Sequence, residues 1–214
     1  ENGYISILKG TWKIRVMHVK DIPVTYEGKA VHNVNNCLPA VMAAYLYRDI
    51  TIEDIRSALM SFLPSATLTP GRLNFFHFKT FTILADFAHN PHGLNLLCDF
   101  VNKLDYPKKI GIISGTGDRR DEDIRELGII SAKNFDEIII RCDKNLRGRS
   151  AEEIIDLLKE GIISENPGMP ITIIANETEA LEYIYANPQQ GALYTMMCDV
   201  VTGALDKIKE LKNR

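Results

Sequence analysis

The chain has 214 residues, a net charge of −3 and a pI near 6.0, with 45% hydrophobic and 25% charged residues. This composition is that of a globular protein with one large or two smaller domains, and the weakly acidic balance argues against a nucleic-acid-binding module. The sequence contains neither an apolar run near the ~20 residues of a membrane span nor a recognisable secretory leader.

The cysteines give information about the redox environment. They are widely separated, and no two of them form a CxxC pair: Cys37, Cys98, Cys142 and Cys198. Each occurs in an apolar or helical stretch, as buried free thiols usually do. We therefore expect reduced, mostly buried thiols and a cytoplasmic protein.

The first part of the chain predicts two strands and two helices. YISILKG and TWKIRVMHV alternate apolar and polar residues around a turn at Lys9 and Gly10, which predicts a pair of strands. The stretch HNVNNCLPAVMAAYLYR has the 3.6-residue spacing of a helix, with Asn36 as the expected N-cap and Pro39 in the first turn. The main apolar positions of this helix are Leu38, Val41, Met42, Tyr45 and Leu46.

A second helix and a breaker segment follow. TIEDIRSALMSFL predicts a helix opened by Thr51, with Asp54 three residues later in a near capping box. PSATLTPGR then interrupts the pattern with two prolines and a glycine, which predicts a domain boundary between residues 1–67 and 68–214. Two strands and two helices make a thin core, so we expect residues 1–67 to be the end of a larger α/β domain.

Residues 68–214 predict alternating strands and helices. Short, nearly continuous apolar runs such as FTILADFA, KKIGIIS and DEIIIRC are separated by helical stretches, giving five βα units. Such runs are typical of a parallel sheet that is covered by helices on both faces. The expected fold is therefore α/β, a Rossmann-like, doubly wound and mostly parallel sheet.

A first polar cluster follows the strand that ends at Asp86. His89, Asn90 and His92 come next, and a helix begins at Pro91. Asp, His and His at this spacing could ligate zinc or iron, although the strand-to-helix turn does not fix their relative positions. Asn90 as N-cap and Pro91 at the first helical position fit simple capping but leave Asp86 and His89 unexplained. An anion or nucleotide site at the helix N-terminus would use both residues.

A second cluster, SGTGDRRDED, follows the next strand. Gly115 and Gly117 permit a tight loop close to a ligand, and Arg119 and Arg120 could clamp a carboxylate or a phosphate. The alternative is an acidic, solvated start of the next helix.

A third cluster, RCDKNLRGRS, carries alternating charges after a further strand. Its polar residues are Arg141, Asp143, Asn145, Arg147 and Arg149. It is either a pocket for a charged amino acid or a basic surface loop. The chain contains no GxxxxGK[ST] motif, so a phosphate-cradling P-loop would have to lie elsewhere.

Together, four motifs resemble the Mur ligase family. They are HNVNN at residues 32–36, TPGR at 69–72, DFAHNP at 86–91 and GDRRDED at 117–123. The order of the motifs matches that family over nearly the whole chain. GTWKIRV, TPGRLN, FDEIIIR and LRGR are similar to its cyanophycin synthetase branch.

The resemblance implies an ATP-dependent amide ligase that acts through an acyl phosphate. It implies ATP and Mg²⁺ as cofactors, bound mainly by a part of the protein outside this chain, and a fragment that is inactive alone. In the branch named above, arginine is added to an aspartate side chain of a poly-aspartate polymer. The alternatives are a muramyl-peptide or folylpolyglutamate-like ligase, or a non-catalytic nucleotide-binding domain. We expect a small-molecule amino acid and a peptide or polymer acceptor as partners, no nucleic acid and no membrane, and a homo-oligomer is an open alternative.

The resemblance also implies roles for individual residues. Residues on the nucleotide are Asn33, Asn36, Arg72, Asp86 and His89, whereas His89, Asp118 and Arg119 are the catalytic set. Residues on the incoming amino acid are Arg120, Asp143, Asn145 and Arg147, and no residue is assigned to a metal. Departures are Phe87 where tyrosine is common, Pro39 in the helix on the adenine side, and CDVVTG in place of a GKGHE motif. The last departure weakens the muramyl-peptide alternative.

Overall fold

The computed structural model describes residues 2–214, which divide into two compact units, residues 2–64 and Ser65–Arg214. All four cysteines are unpaired, as predicted: Cys37, Cys98 and Cys198 are buried and Cys142 is half-buried. Among the helices of residues 2–214, none combines the length and apolarity that crossing a bilayer requires.

The first unit contains a hairpin and two helices. Strands β1 (Tyr4–Lys9) and β2 (Trp12–His18) pair antiparallel, and Gly10 takes the turn with a φ of +61°. Helices α1 (Val31–Leu46) and α2 (Ile52–Ser61) follow. Their apolar faces and the hairpin form one small core, which consists of Ile5, Ile7, Val16, Met17, Ile22, Cys37, Val41 and Ile55.

Helix α1 begins earlier than the sequence predicted. Its N-cap is Ala30 rather than Asn36, because the carbonyl of Ala30 already accepts the N–H groups of Asn33 and Val34. Pro39 consequently lies inside the helix, where it cannot donate to the carbonyl one turn earlier. Of the expected apolar positions only Val41 is buried. Leu38, Met42 and Leu46 are exposed.

The predicted helix start at Thr51 is confirmed as a complete capping box, and a second box opens a helix of the second unit. At α2 the Thr51 hydroxyl accepts the Asp54 N–H at 3.2 Å, and the Asp54 carboxylate accepts the Thr51 N–H at 2.9 Å. Ser150 and Glu153 make the same reciprocal pair at 3.2 and 2.8 Å. Each box satisfies two backbone donors that a helix end would otherwise leave unpaired.

The second unit has a six-stranded sheet and five helices. Its elements in chain order are β3 (Asn74–His77), β4 (Thr82–Asp86), α3 (Pro91–Val101), β5 (Lys108–Ile113), α4 (Asp121–Asn134), β6 (Glu137–Cys142), α5 (Ala151–Glu165), β7 (Ile171–Asn176), α6 (Glu177–Ala186), β8 (Ala192–Met197) and α7 (Val201–Lys212). The strand order is β3-β4-β8-β5-β6-β7. All neighbours pair in parallel except β3 with β4. The predicted α/β class is therefore confirmed, with the short antiparallel strand β3 as an addition.

The position of β8 between β4 and β5 brings the loops of the sheet together. Strand β8 is buried along its whole length, and β4 is buried from Thr82 to Asp86. Because these strands are parallel, the carboxyl ends of β4, β8, β5 and β6 lie side by side at one edge. Ligands of open α/β sheets bind at such an edge.

The turn before β3 is fastened to the end of β4. The buried carboxylate of Asp86 accepts the N–H of Leu73 at 2.9 Å, and the Phe87 N–H donates to the Gly71 carbonyl at 2.9 Å. Leu73 has a φ of +49°, which is unfavourable for a branched side chain. Asp86 therefore holds a strained turn in place. Burial raises the pKa of Asp86 to about 6, although the Leu73 N–H, Arg72 and the Ala88 N–H act in the opposite direction.

Helices α4 and α5 approach each other closely through glycines. A Cβ added at Gly161 would lie 2.0 Å from the Arg125 carbonyl oxygen, and one added at Gly128 would lie 2.3 Å from the Leu158 carbonyl oxygen. Both obstacles are backbone atoms, which cannot rotate away. The Arg125 guanidinium also donates to the Glu160 carboxylate at 2.6 Å across the same interface.

Gly161→Ala tests this contact. Alanine favours a helix over glycine by about 1 kcal/mol, but the overlap with Arg125 should cost more, for a net loss of about 1–3 kcal/mol in the free energy of unfolding. Urea unfolding followed by circular dichroism measures the change. Gly168→Ala is the control, since a Cβ there meets nothing closer than 3.7 Å. A stabilised Gly161→Ala protein would contradict the close approach.

Asp86→Asn tests the buried carboxylate through pH. The folded-state pKa of Asp86 is raised, so the folded protein holds more protons than the unfolded one between about pH 4 and 6. The Asp86 contribution to stability is therefore greatest below pH 4 and falls by roughly 3 kcal/mol as the pH rises through 6. Asparagine keeps an acceptor for Leu73 but does not ionise.

In urea titrations from pH 4 to 7, the wild type should lose stability relative to Asp86→Asn across this window. Asp206→Asn, at an exposed position of α7, is the matched control. Parallel pH profiles for wild type and Asp86→Asn would show that Asp86 ionises as readily in the folded chain as in the unfolded one.

Candidate functional site

A small cavity lies at the edge where the four parallel strands end, entirely within the second unit. Its volume is about 80 Å³, and its walls come from the segments that follow β4, β5, β6 and β8. The lining residues are Phe87, Ala88, His89, Ser114, Thr116, Arg119, Asp143, Arg147, Met197, Cys198 and Asp199. This arrangement of charged, hydroxyl and apolar groups from four separate segments is typical of a ligand site in an open α/β sheet.

A larger and more open groove of about 450 Å³ lies between the N-terminal ends of α3 and α4. It is lined by Asn90, Pro91, His92, Asn95, Arg119, Asp123 and Glu126. Arg119 lines both spaces. We regard the smaller cavity as the candidate site because polar groups from four strand ends converge there, and three of them, Ser114, Thr116 and Asp143, are buried.

The segment after β4 is organised by helix capping. Asn90 is the N-cap of α3, with its side-chain oxygen accepting the Gly93 N–H at 2.8 Å, and Pro91 is the first helical residue, as predicted. His92 is exposed in the first turn, as predicted for a surface residue. Within residues 2–214 there is no group of three or more histidine, cysteine or acidic side chains that could hold a metal ion.

The Nδ1 atom of the His89 ring faces the backbone carbonyl of Phe87. This nitrogen lies 3.0 Å from the Phe87 carbonyl oxygen, and the ring centroid of His89 lies 4.6 Å from that of Phe87. A carbonyl can only accept, so Nδ1 carries the proton and Nε2 is the acceptor in the neutral imidazole. The guanidinium of Arg72 lies 5.5 Å from the centre of the same Phe87 ring.

The glycine loop after β5 is pressed against the loop after β6. A Cβ at Gly117 would lie 2.0 Å from the Leu146 carbonyl oxygen, so only glycine fits there. Arg149 holds the same loop by donating to the Gly117 and Arg119 carbonyls at 2.9 and 3.0 Å. It also pairs with Asp121 at 2.7 Å. Arg149 therefore supports the loop rather than facing the cavity.

The buried centre of the site is Arg141, which is 1% exposed. Its guanidinium donates to the Asp143 carboxylate and to the Met197 carbonyl, and it lies 3.3 Å from the Glu177 carboxylate. Burial raises the pKa of Glu177, although Arg141 acts in the opposite direction. One guanidinium thus ties together the ends of β6, β8 and the start of α6.

Asp143, predicted to bind the incoming amino acid, is itself buried and 7% exposed. The carboxylate oxygen that accepts from Arg141 also accepts the Ser114 hydroxyl at 2.7 Å. A large part of the hydrogen-bonding capacity of Asp143 is therefore used inside the protein. Its proposed role toward a substrate stays a prediction.

The remaining predicted residues of this region lie on the outer rim. Arg147 is exposed and pairs with Asp118 at 2.7 Å, which holds the pKa of Asp118 below its usual range. The Asn145 side chain accepts the Arg147 N–H at 3.0 Å. Arg120 pairs with Asp123 at 2.7 Å in the acidic first turn of α4 and does not line the cavity. Exposed pairs of this kind are weak and exchange readily with a ligand.

Asn33 and Asn36 belong to the first unit and lie three residues apart on α1. The Asn33 side-chain amide donates to the Val24 carbonyl at 2.8 Å, whereas Asn36 is exposed. Their predicted contact with a nucleotide stays a prediction.

Sequence reasoning missed several cavity residues, above all Thr116 and Asp199. Thr116 is 7% exposed, and its hydroxyl has no hydrogen-bond partner among the described residues. Asp199 follows directly after β8. Both residues follow the carboxyl end of a parallel strand, which is where open α/β sheets bind their ligands. Their position after a strand was therefore the signal that could have identified them.

Comparison with known proteins identifies the relatives of this chain. The sequence profile "Mur ligase, glutamate ligase domain" matches residues 71–201. The chain is 41% identical over 210 residues to a cyanophycin synthetase of Geminocystis herdmanii and 40% identical over 212 residues to that of a Synechocystis species. These matches cover 98% and 99% of this chain but 24% of each relative, so the chain spans about a quarter of their length.

More distant relatives include muramyl ligases. A UDP-N-acetylmuramoyl-L-alanyl-D-glutamate–2,6-diaminopimelate ligase of Caldanaerobacter subterraneus is 26% identical over 84% of this chain and 35% of its own length. This relative belongs to one of the alternative ligase types that the sequence left open.

Solved structures share the fold. Mycobacterium tuberculosis folylpolyglutamate synthase, complexed with ADP and AMPPCP, superposes with a TM-score of 0.60 at 19% identity and covers 86% of this chain and 40% of its own. Escherichia coli FolC in complex with ADP gives a TM-score of 0.62 at 16% identity, over 83% of this chain and 39% of its own. With the profile matching more than half of the residues, the chain belongs to the Mur ligase family.

Proposed function

We propose that this chain is the carboxyl-terminal part of an ATP-dependent amide ligase of the cyanophycin synthetase type, which adds arginine to an aspartate side chain of a poly-aspartate polymer. Residues 1–67 would belong to the ATP-binding central domain, and residues 68–214 would belong to the C-terminal domain. The identity of about 40% to cyanophycin synthetases over almost the whole chain supports this assignment.

The observation that carries the proposal is the convergence of charges of both signs in one cavity. Arg119 and Arg147 provide the cations, and Asp143 and Asp199 provide the carboxylates. An amino acid substrate is a zwitterion, so its binding site requires positive and negative groups within a few ångströms of each other. An arginine substrate adds a second positive charge at its far end.

The reaction has two balanced steps. The γ-phosphoryl group of ATP is transferred to a carboxylate of the acceptor, which gives ADP and an acyl phosphate. The amine of the incoming amino acid then attacks the carbonyl carbon, the new C–N bond replaces the C–O bond to phosphate, and one proton is lost. Arginine side chains stabilise the negative charge that develops on the phosphoryl and carbonyl oxygens.

Within this chain Arg72, Asp86 and His89 are proposed to face the nucleotide, with Asn33 and Asn36 on its adenine side. The helix N-terminus at Asn90 and the accepting Nε2 of His89 fit that role, because ATP offers both phosphates and hydroxyl donors. Mg²⁺ bound with the nucleotide would supply positive charge that offsets the charge of the phosphates. Its ligands would come mainly from a part of the protein outside this chain.

The test uses the full-length protein that contains this sequence. Phosphate release from ATP should require L-arginine and a poly-aspartate acceptor together, and the product should gain mass by arginine additions. The alternative acceptors are a UDP-muramyl dipeptide with diaminopimelate and a folate with glutamate. Turnover with either would overturn the proposal in favour of that ligase type. ADP binding without turnover on any acceptor would favour a non-catalytic nucleotide-binding protein.

Arg147→Ala should affect the amino acid more than the nucleotide. Arg147 lies in the cavity wall at the end of β6, and its pairing with Asp118 is solvent-exposed and readily broken. Loss of a charge-assisted contact to the substrate carboxylate should raise KM for the amino acid roughly tenfold or more. KM for ATP should stay within about twofold.

Steady-state kinetics with each substrate varied in turn measures both constants. Arg214→Ala is the matched control, because Arg214 pairs with Glu182 and Glu210 outside the cavity lining. A rise in KM for ATP without a rise for the amino acid would place Arg147 on the nucleotide instead.

A further inference from the structure

One carboxylate in the cavity wall is available to a ligand. Asp199 follows β8 and is half-buried, and its Oδ2 accepts the Lys144 N–H at 2.9 Å. Among residues 2–214, no lysine or arginine forms an ion pair with it. Arg147 is close enough for the charge of Asp199 to raise its pKa, but it pairs with Asp118. Asp199 therefore keeps one oxygen for a donor that the chain does not provide.

The surrounding charges leave that oxygen in a negative environment. Behind the cavity wall, the single buried guanidinium of Arg141 faces both Asp143 and Glu177. The raised pKa of Glu177, caused first by burial, also reflects repulsion from Asp199 and Asp143. Arg141 pairs with two of these three carboxylates, whereas Arg147 lies near Asp143 and Asp199 but pairs with Asp118. A ligand cation beside Asp199 would reduce the repulsion among the three carboxylates.

An independent observation marks the same cavity. The Thr116 hydroxyl is buried and lacks a hydrogen-bond partner in the described part of the chain, and Thr116 lines the cavity with Asp199. A buried hydroxyl without a partner is destabilising. A ligand N–H that donates to it would remove that cost. Thr195 also has an unpartnered hydroxyl but does not line the cavity.

We propose that Asp199 and Thr116 form the subsite for the cationic end of the incoming amino acid. The inference rests on the proposed ligase function and assigns a specificity-determining role within it. A guanidinium has five N–H donors in a planar fork, and it can donate to a carboxylate and a hydroxyl at once. The apolar walls of Met197 and Cys198 suit the methylene stem, while Arg119 and Arg147, which line the same cavity, suit the α-carboxylate.

The subsite gives a defined preference for L-arginine over L-citrulline. Citrulline has the same length and shape but carries a neutral urea in place of the guanidinium. Calorimetric titration of the full-length protein with each amino acid, with ADP present, should show arginine binding at least tenfold more tightly. Asp199→Asn should reduce this preference to about twofold or less while changing citrulline binding little.

Two further variants, Asp206→Asn and Thr116→Val, sharpen the test. In Asp199→Asn the side chain retains an acceptor for the Lys144 N–H, and an unchanged circular dichroism spectrum verifies the fold. Asp206→Asn, on the exposed side of α7, is the matched control and should keep the wild-type preference. Thr116→Val removes only the hydroxyl and should weaken arginine binding about three- to tenfold without changing ADP binding.

The outcomes separate the two proposals. If Asp199→Asn keeps the full preference for arginine, the subsite is wrong while the ligase proposal stands. If wild-type protein binds neither arginine nor citrulline and shows no arginine-dependent turnover, the proposed function fails and the subsite with it. If lysine binds wild type as tightly as arginine, the site recognises the positive charge but not the planar guanidinium. That result would overturn the guanidinium assignment.

Discussion

The arrangement of the second unit depends on one buried cation. Arg141 lies at the end of β6 with almost no solvent contact, and its guanidinium reaches a carboxylate of its own loop, a carbonyl at the end of β8 and a carboxylate at the start of α6. A buried guanidinium is tolerated only when charge and hydrogen bonds compensate its lost hydration. The strand ends must therefore keep the spacing that satisfies it. The cavity walls are built on those same strand ends.

Much of the fold was predictable because its local signals agree with its tertiary structure. The strands of a sheet that is covered on both faces appear in the sequence as apolar runs. Helix starts are marked by the capping residues Asn90, Thr51 and Ser150, which make local hydrogen bonds. Helix α1 was misplaced because Asn36 offered a side-chain cap that would put Pro39 in the first turn. The helix instead begins where the Ala30 carbonyl accepts the first helical N–H groups, and the Val24 carbonyl accepts from the Asn33 side chain. Neither is visible in a local pattern.

The candidate site was predictable only in outline. The polar clusters after β4, β5 and β6 were recognised, since residue type and strand-end position suffice for that. Which side chains remain available was not, because it depends on long-range contacts such as Arg141 with Glu177 and Ser114 with Asp143. Asp143 was predicted as a ligand contact, and Arg141 and Ser114 both donate to one of its two carboxylate oxygens. Asp199 was not predicted as a ligand contact, and its Oδ2 accepts the Lys144 N–H.

The contact between Gly117 and Leu146 has a mechanical consequence. The two backbones touch without an intervening side chain, and Arg149 joins them again by hydrogen bonds to the Gly117 and Arg119 carbonyls. The loops after β5 and β6 are thus coupled as one body, and neither can shift without displacing the other. A backbone shift that moves Arg147 therefore moves Arg119 as well. The two cations, which belong to separate loops, change position together.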